Sequence, residues 1–201
     1  MSSRAAQGMN AHAGDLEATL AEALRLLSRG VADRRHGFHT PTLASIGLDG
    51  APQARTVVLR GFDPAARSLR IHTDARSAKV AEFAADPRAT LHLYDASAQV
   101  QLRLAGHVSL HAEDTVADTA WAASRPMSRM IYALAPGAGP GTPLVAPQPA
   151  PKDPEAGRPY FRVLLIRFAR LEWLWLAAAG HQRARFTWDE AGTPTATWLV
   201  P

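Results

Sequence analysis

The chain has 201 residues, 47% of them hydrophobic and 20% charged, which supplies enough apolar side chain to close one core and argues against wholesale disorder. It contains no cysteine, which excludes a disulfide scaffold, a thiolate nucleophile, zinc ribbons and cysteinyl iron–sulfur clusters. The formal charge of +4 is spread along the chain without a basic run, so it describes a mildly basic protein rather than a nucleic-acid binder.

No stretch approaches the ~20 apolar residues of a membrane span, and the opening "MSSRAAQGMNAHAGD" lacks the apolar run of a signal peptide. The expectation is a cytoplasmic protein with a flexible terminus over residues 1–14 and one domain over 15–201. "DLEATLAEALRLLSRG" (15–30) places Leu16, Leu20, Leu24 and Leu27 at helical spacing, with Asp15 as cap and Gly30 as stop. From Pro41 the period changes. "PTLASIGLDGAPQARTVVLRGF" reads as strand, Asp49-Gly50 turn and strand. "RSLRIHT" is a third strand, "RSAKVAEFAADP" a short helix ended by Pro87, and "RATLHLYD" and "AQVQLRLAGHVSLH" two more strands. Residues 113–134 are helical in character, and the Pro/Gly-rich stretch 136–159 predicts a long loop. "YFRVLLIRFARLEWLWL", "RARFTWD" and "TATWLVP" close the chain as strands. The pattern is mainly β with flanking helices, a small antiparallel barrel.

Two stretches carry candidate chemistry. "RTVVLR" (55–60) sets an arginine at each end of an uncharged, β-branched run. In "IHTDARSAKV" (71–80) a strand runs into a helix whose first turn holds Ser77 and Lys79, one of only two lysines in the chain. Hydroxyls and an ammonium at a helix N-terminus can grip a phosphate monoester, with Thr73 as a third donor. Alternatively, Ser77 or Asp74 caps the helix and Lys79 is solvated. Period-2 alternation puts Gln99, Gln101 and Arg103 on one strand face. His107 with His111, and His36 with His39, complete no recognisable metal-ligand pattern, and no Ser-His-Asp spacing is legible.

"RTVVLR", then "HTDARSAK", "QLRLAG" and "FRV…LEWLWL…HQRARF" together resemble the pyridoxamine 5′-phosphate oxidase family from Gly37 to Pro201. The resemblance implies a six-stranded split barrel that binds FMN across a homodimer interface. It implies that Arg55, Thr56, Val57 and Val58 lie along the flavin and that Arg60 touches both flavin and substrate. Thr73, Ser77 and Lys79 match the phosphate-binding run. There His72 replaces a tyrosine and Ala78 an arginine, so Arg76 either supplies the missing guanidinium or points to solvent. Gln101, Trp175 and Arg185 match flavin contacts, with Trp173 as the alternative aromatic. Arg60, Trp121, Arg125 and Ser128 match positions that hold the substrate phosphate, and His181 and Arg183 those that read the substrate. The implied reaction is oxidation of pyridoxamine or pyridoxine phosphate. Alternatives are a haem- or F420-binding split barrel, or a non-catalytic flavin binder.

Overall fold

In the computed structural model of the chain, residues 14–134, 139–143, 150–177 and 180–201 are described. The expectation for the N-terminus, apart from Gly14, and that for loop residues 136–138 and 144–149 lie outside them. Helix α1 spans Leu16–Ala32, and the Asp15 carboxylate accepts from the Ala18 N–H at 3.0 Å, satisfying one of the unpaired first-turn donors. Its buried stripe is Thr19, Ala23, Leu26, Leu27 and Gly30, while Leu16, Leu20 and Leu24 pack at its margin. Gly30 does not stop the helix as expected. It is where Phe38 leans in, and a Cβ there would lie 2.8 Å from the Phe38 Cβ.

The hairpin forms as β1 (Thr42–Ile46) and β2 (Pro52–Thr56), with Ile46 opposite Pro52 and Gly50 at φ +81°, a conformation glycine adopts without a Cβ penalty. The expected second strand, however, is two. It breaks at Val57–Val58 and resumes as β3 (Leu59–Asp63). The rest follow as β4 (Ser68–Asp74), α2 (Ala78–Ala85), β5 (Arg88–Asp95), β6 (Val100–His111), α3 (Thr115–Ala122), α4 (Pro126–Arg129), β7 (Phe161–Trp175), β8 (Gln182–Trp188) and β9 (Pro194–Leu199).

The strand order β2-β1-β5-β6-β7-β4-β3 is a ladder whose two ends, β2 and β3, are joined through Val57 and Val58. With the bent β2–β3 segment counted as one strand, the barrel is six-stranded, unclosed by hydrogen bonds at its seam but closed by the chain. Hairpin β8–β9 is appended to β7. The long β7 makes this possible by changing partner: residues 161–167 pair with β4 and 170–175 with β8, while β6 runs along the other edge. The ladder with β6 shifts register at Ala105/Gly106. A Cβ on Gly106 would sit 2.0 Å from the Arg167 carbonyl oxygen, so only glycine fits the bulge.

Inward residues of β1 and β3–β8 form the main core, with Leu43, Leu59, Leu69, Ile71, Leu91, Leu102, Phe168 and Phe186 fully buried. A second cluster, Ala117, Ala120, Trp121, Tyr132, Phe161 and Val163, holds α3 against β7. Among the described residues no helix is long and apolar enough to cross a membrane.

Candidate functional site

The end of β4 and the start of α2 bring Thr73, Ser77 and Lys79 together. The Lys79 ammonium donates to Ser77 Oγ at 2.5 Å and to Thr73 Oγ1 at 3.2 Å, and both hydroxyl residues are buried. Ser77 is the N-cap residue of α2, yet its side chain makes no capping bond. Asp74 does not cap α2 either: its carboxylate takes the Arg76 N–H at 2.8 Å and the Arg76 guanidinium at 2.7 to 2.9 Å. Neither Ser77 nor Asp74 therefore caps α2 through its side chain, and Lys79 is half-buried with no ion pair among the described residues. Burial pushes the Lys79 pKa below its usual value, with the Arg55 charge adding to the effect and Glu82 and Asp74 opposing it. A half-buried ammonium held by two hydroxyls beside uncapped helix N–H groups has the donor set of a phosphate site.

Arg76 neither points to solvent nor stands ready for an anion. Besides Asp74 it donates to the carbonyls of Tyr132 and Leu134, at 3.2 and 3.3 Å, and lies 3.8 Å over the Tyr160 ring. It fastens the end of β4 to the segment after α4. Arg55 is likewise engaged: its guanidinium donates to Ser45 Oγ and, at 2.7 Å, to Glu82 Oε2, and Ser45 donates to the same carboxylate at 2.5 Å. The two arginines of "RTVVLR" are thus not a matched pair, because one satisfies a buried glutamate of α2. Glu82 and Ser45 were not singled out from sequence; the readable signal was a lone acid in the apolar helix "AKVAEFAA". Thr56 is exposed, Val57 buried and Val58 half-buried along the link.

Arg60, at the far side of the link, enters a cavity of about 430 Å³ together with Arg125, Ser128 and His72, as well as two residues sequence reasoning passed over, Arg34 and Arg70. Its floor is the outer face of β3 and β4, and its walls are the turn after α1 and the α3–α4 corner. Among the described residues no carboxylate lines it. The His72 pKa is lowered to about 4, by burial first and then by the charges of Arg70 and Arg60, so the ring is neutral at pH 7. It stands edge-on to Phe161 with Nε2 buried and without a hydrogen-bond partner. Trp121 lies behind the wall instead of in the cavity, its indole N–H donating to Glu155 at 2.9 Å.

A third group forms across β6, β7 and β8, where Arg103, Glu172 and Arg185 are register neighbours. The buried Glu172 carboxylate accepts from Arg183 at 2.6 Å and Arg185 at 3.0 Å, with Arg103 at 3.6 Å. Burial opposes its ionisation, but the Arg183 and Arg185 hydrogen bonds outweigh that and hold its pKa below the usual carboxylate value. Gln101 extends this sheet face. Gln99 does not: it sits in the turn before β6 at φ 55°. Trp173 is buried edge-on to Trp198, leaving Trp175, half-buried at the end of β7, as the accessible aromatic; His181 is exposed. Among the described residues no hydrogen bond or ion pair links this group to the Lys79 cradle.

Among the described residues no group of three or more His, Cys, Asp or Glu is arranged to hold a metal ion. A Ser–His–Asp chain invisible to spacing does occur: Ser109 Oγ lies 2.9 Å from His111 Nε2, and His111 Nδ1 2.8 Å from Asp114. Asp114 also caps α3, and none of the three lines the arginine-bearing cavity, so the chain fastens the β6–α3 corner.

Residues 21–112 match the model of the pyridoxamine 5′-phosphate oxidase FMN-binding domain. The chain is 30% identical over 187 residues to pyridoxine/pyridoxamine 5′-phosphate oxidase 2 of Arabidopsis thaliana, covering 87% of this chain and 92% of that one. It is 37% identical over 94 residues to a pyridoxine/pyridoxamine 5′-phosphate oxidase of Cupriavidus pinatubonensis, a match spanning 47% of this chain and 42% of the relative. A pyridoxamine 5′-phosphate oxidase-related FMN-binding protein of Nostoc punctiforme superposes with a TM-score of 0.76 at 26% identity, over 90% of this chain and 96% of that one.

Proposed function

Since this chain belongs to the pyridoxamine 5′-phosphate oxidase family and carries its FMN-binding domain, we propose that it is an FMN-dependent oxidoreductase acting on a small phosphorylated substrate. Pyridoxamine and pyridoxine phosphates are the first candidates, from the names of its relatives. The observation that carries the reading is the Lys79 cradle, a half-buried cation held by two hydroxyls and by no carboxylate. FMN, when bound, supplies a two-electron acceptor for hydride. Lys79, Ser77 and Thr73 hold its phosphate and Gln101, Trp175 and Arg185 contact its ring, with Arg55 braced by Glu82 beside the cradle. Arg60, Arg125 and Ser128 hold the substrate phosphate by charge-assisted hydrogen bonds, and the cavity walls limit water around it. His181 and Arg183 read the rest of the substrate.

We read one FMN as meeting the cradle of one protomer and the Glu172 group of its partner across a homodimer interface, as the family resemblance implies. Consistent with it, the outer face of β1, β5 and β6 exposes a largely apolar groove of about 440 Å³, lined by Ala44, Ile46, Pro52, Thr90 and Ala105.

The test is anaerobic. Purified protein loaded with FMN should lose its flavin absorption on addition of pyridoxamine phosphate or pyridoxine phosphate, and recover it with oxygen. FMN bound but not bleached by either removes the vitamin B6 reading and leaves a flavin binder, whereas failure to bind FMN removes the cradle. Sedimentation as a monomer in the presence of FMN would refute the shared site.

A further inference from the structure

The cavity carries more positive charge than one phosphate group offsets. Arg34 lines it from the turn after α1, Arg60 and Arg70 from β3 and β4, and Arg125 from the α3–α4 corner, so the four arginines come from the floor and both walls. Among the described residues none of the four has an ion-pair partner. Their side chains make one hydrogen bond there, from Arg70 Nη2 to the Arg60 carbonyl oxygen at 3.1 Å, and Arg70 Nε is buried without a partner.

A phosphate monoester carries a charge of at most about −2, which Arg60 and Arg125 match with Ser128 as a further donor. Arg34 and Arg70 then line the same partly enclosed space with no carboxylate facing them among the described residues, and like charges that close repel unless an anion lies between them. His72 contributes no compensation, because the neutral ring adds neither sign. We propose that the cavity takes a substrate with two anionic groups: a phosphate monoester on Arg60, Arg125 and Ser128, and a second anion of carboxylate type on Arg34 and Arg70. This rests on the reading of the cavity as the substrate site and moves the substrate from pyridoxamine and pyridoxine phosphates, which carry no carboxylate, toward a phosphorylated acid.

The FMN-loaded full chain is titrated by calorimetry with pyridoxal 5′-phosphate, glycerol 3-phosphate and 3-phosphoglycerate; the last two differ by a carboxylate in place of a hydroxymethyl group. The expected result is 3-phosphoglycerate binding about tenfold to a hundredfold more tightly than glycerol 3-phosphate, the span of one or two charged hydrogen bonds. Arg34→Gln with Arg70→Gln should bring the ratio to within twofold. Arg34→Gln alone, at an exposed residue, should cut it severalfold and serves if the double variant fails to fold. Arg125→Gln should weaken both ligands by a similar factor and keep the ratio. Equal affinities in the unaltered protein, or a ratio that survives both substitutions, overturns the second-anion assignment; binding of pyridoxal 5′-phosphate in the same experiment leaves the substrate-site reading standing. If none of the three ligands binds, the substrate-site reading falls and this inference with it.

Discussion

Replacing Lys79 by methionine keeps the apolar stem of the side chain and deletes its charge, which makes it the sharpest probe of the cradle. The ammonium sits 2.5 Å from Ser77 Oγ and 3.2 Å from Thr73 Oγ1, so a phosphate oxygen placed against it receives a charge-assisted bond in a half-buried setting. A unit charge pair at about 4 Å is worth roughly 4 kcal/mol at an effective dielectric of 20, an upper bound because the lysine already bears a desolvation cost. Hydrogen bonds to charged groups contribute about 1.5 to 3 kcal/mol net, so FMN affinity should fall about tenfold to 150-fold. Quenching of flavin fluorescence on titration with FMN reads this directly. Lys79→Arg should recover part of the loss, and adding Ser77→Ala to Lys79→Met should cost less than its separate effect, because Lys79 positions that hydroxyl. The affinity of the unaltered protein should also decline on the alkaline side, as the lysine loses its proton below the usual 10.5. A methionine variant that binds FMN within twofold of the unaltered protein would refute the cradle.

Gly106→Ala should lower stability by about 3 kcal/mol in urea denaturation, because the new Cβ meets backbone atoms, 2.0 Å from the Arg167 oxygen and 2.6 Å from the Phe168 Cα, that cannot swing aside. His72 binds its proton less readily folded, near pH 4, than unfolded, near 6.5, so stability rises with pH between those values and falls by up to about 3 kcal/mol as the pH drops through that window. His72→Phe should flatten that slope in denaturation curves taken from pH 4 to 7, and an unchanged slope would show that another group sets it. Glu172→Gln leaves Arg183, Arg185 and Arg103 without their shared counter-charge and should cost about 2 kcal/mol, less than for a fully buried pair because the arginines are partly exposed; a thermal melt tests this, with no change as the refuting result.

Elements were legible where the signal is local. Asp49-Gly50 between two alternating runs announces a hairpin whatever surrounds it, and Asp15 announces a helix start. The break at Val57–Val58 is not local: nothing in a β-branched run says that β2 ends one side of a ladder and β3 begins the other. Gly30 misled because the same residue serves a helix stop and a close packing contact, and only Phe38 decides between them. Gln99 fell out of the alternation because a residue at φ 55° belongs to the turn. In the site, the Thr73, Ser77 and Lys79 grouping was readable because seven consecutive residues contain it. Arg55–Glu82 spans 27 positions, and Arg34 and Arg70 line one cavity only because the fold brings the turn after α1 to the β3–β4 surface.

The seam of the barrel has a mechanical meaning. Arg55 is anchored to α2 through Glu82, and Arg60 hangs over the cavity, with Val57 and Val58 spanning the interval. The main-chain N–H of Val57 is tied to the Pro41 carbonyl at 2.9 Å, which fixes the start of the link to the segment before β1. The residue that answers Glu82 and the residue that lines the cavity are therefore joined by five consecutive peptide units, so their spacing is set by the covalent chain and not by any rung of the ladder.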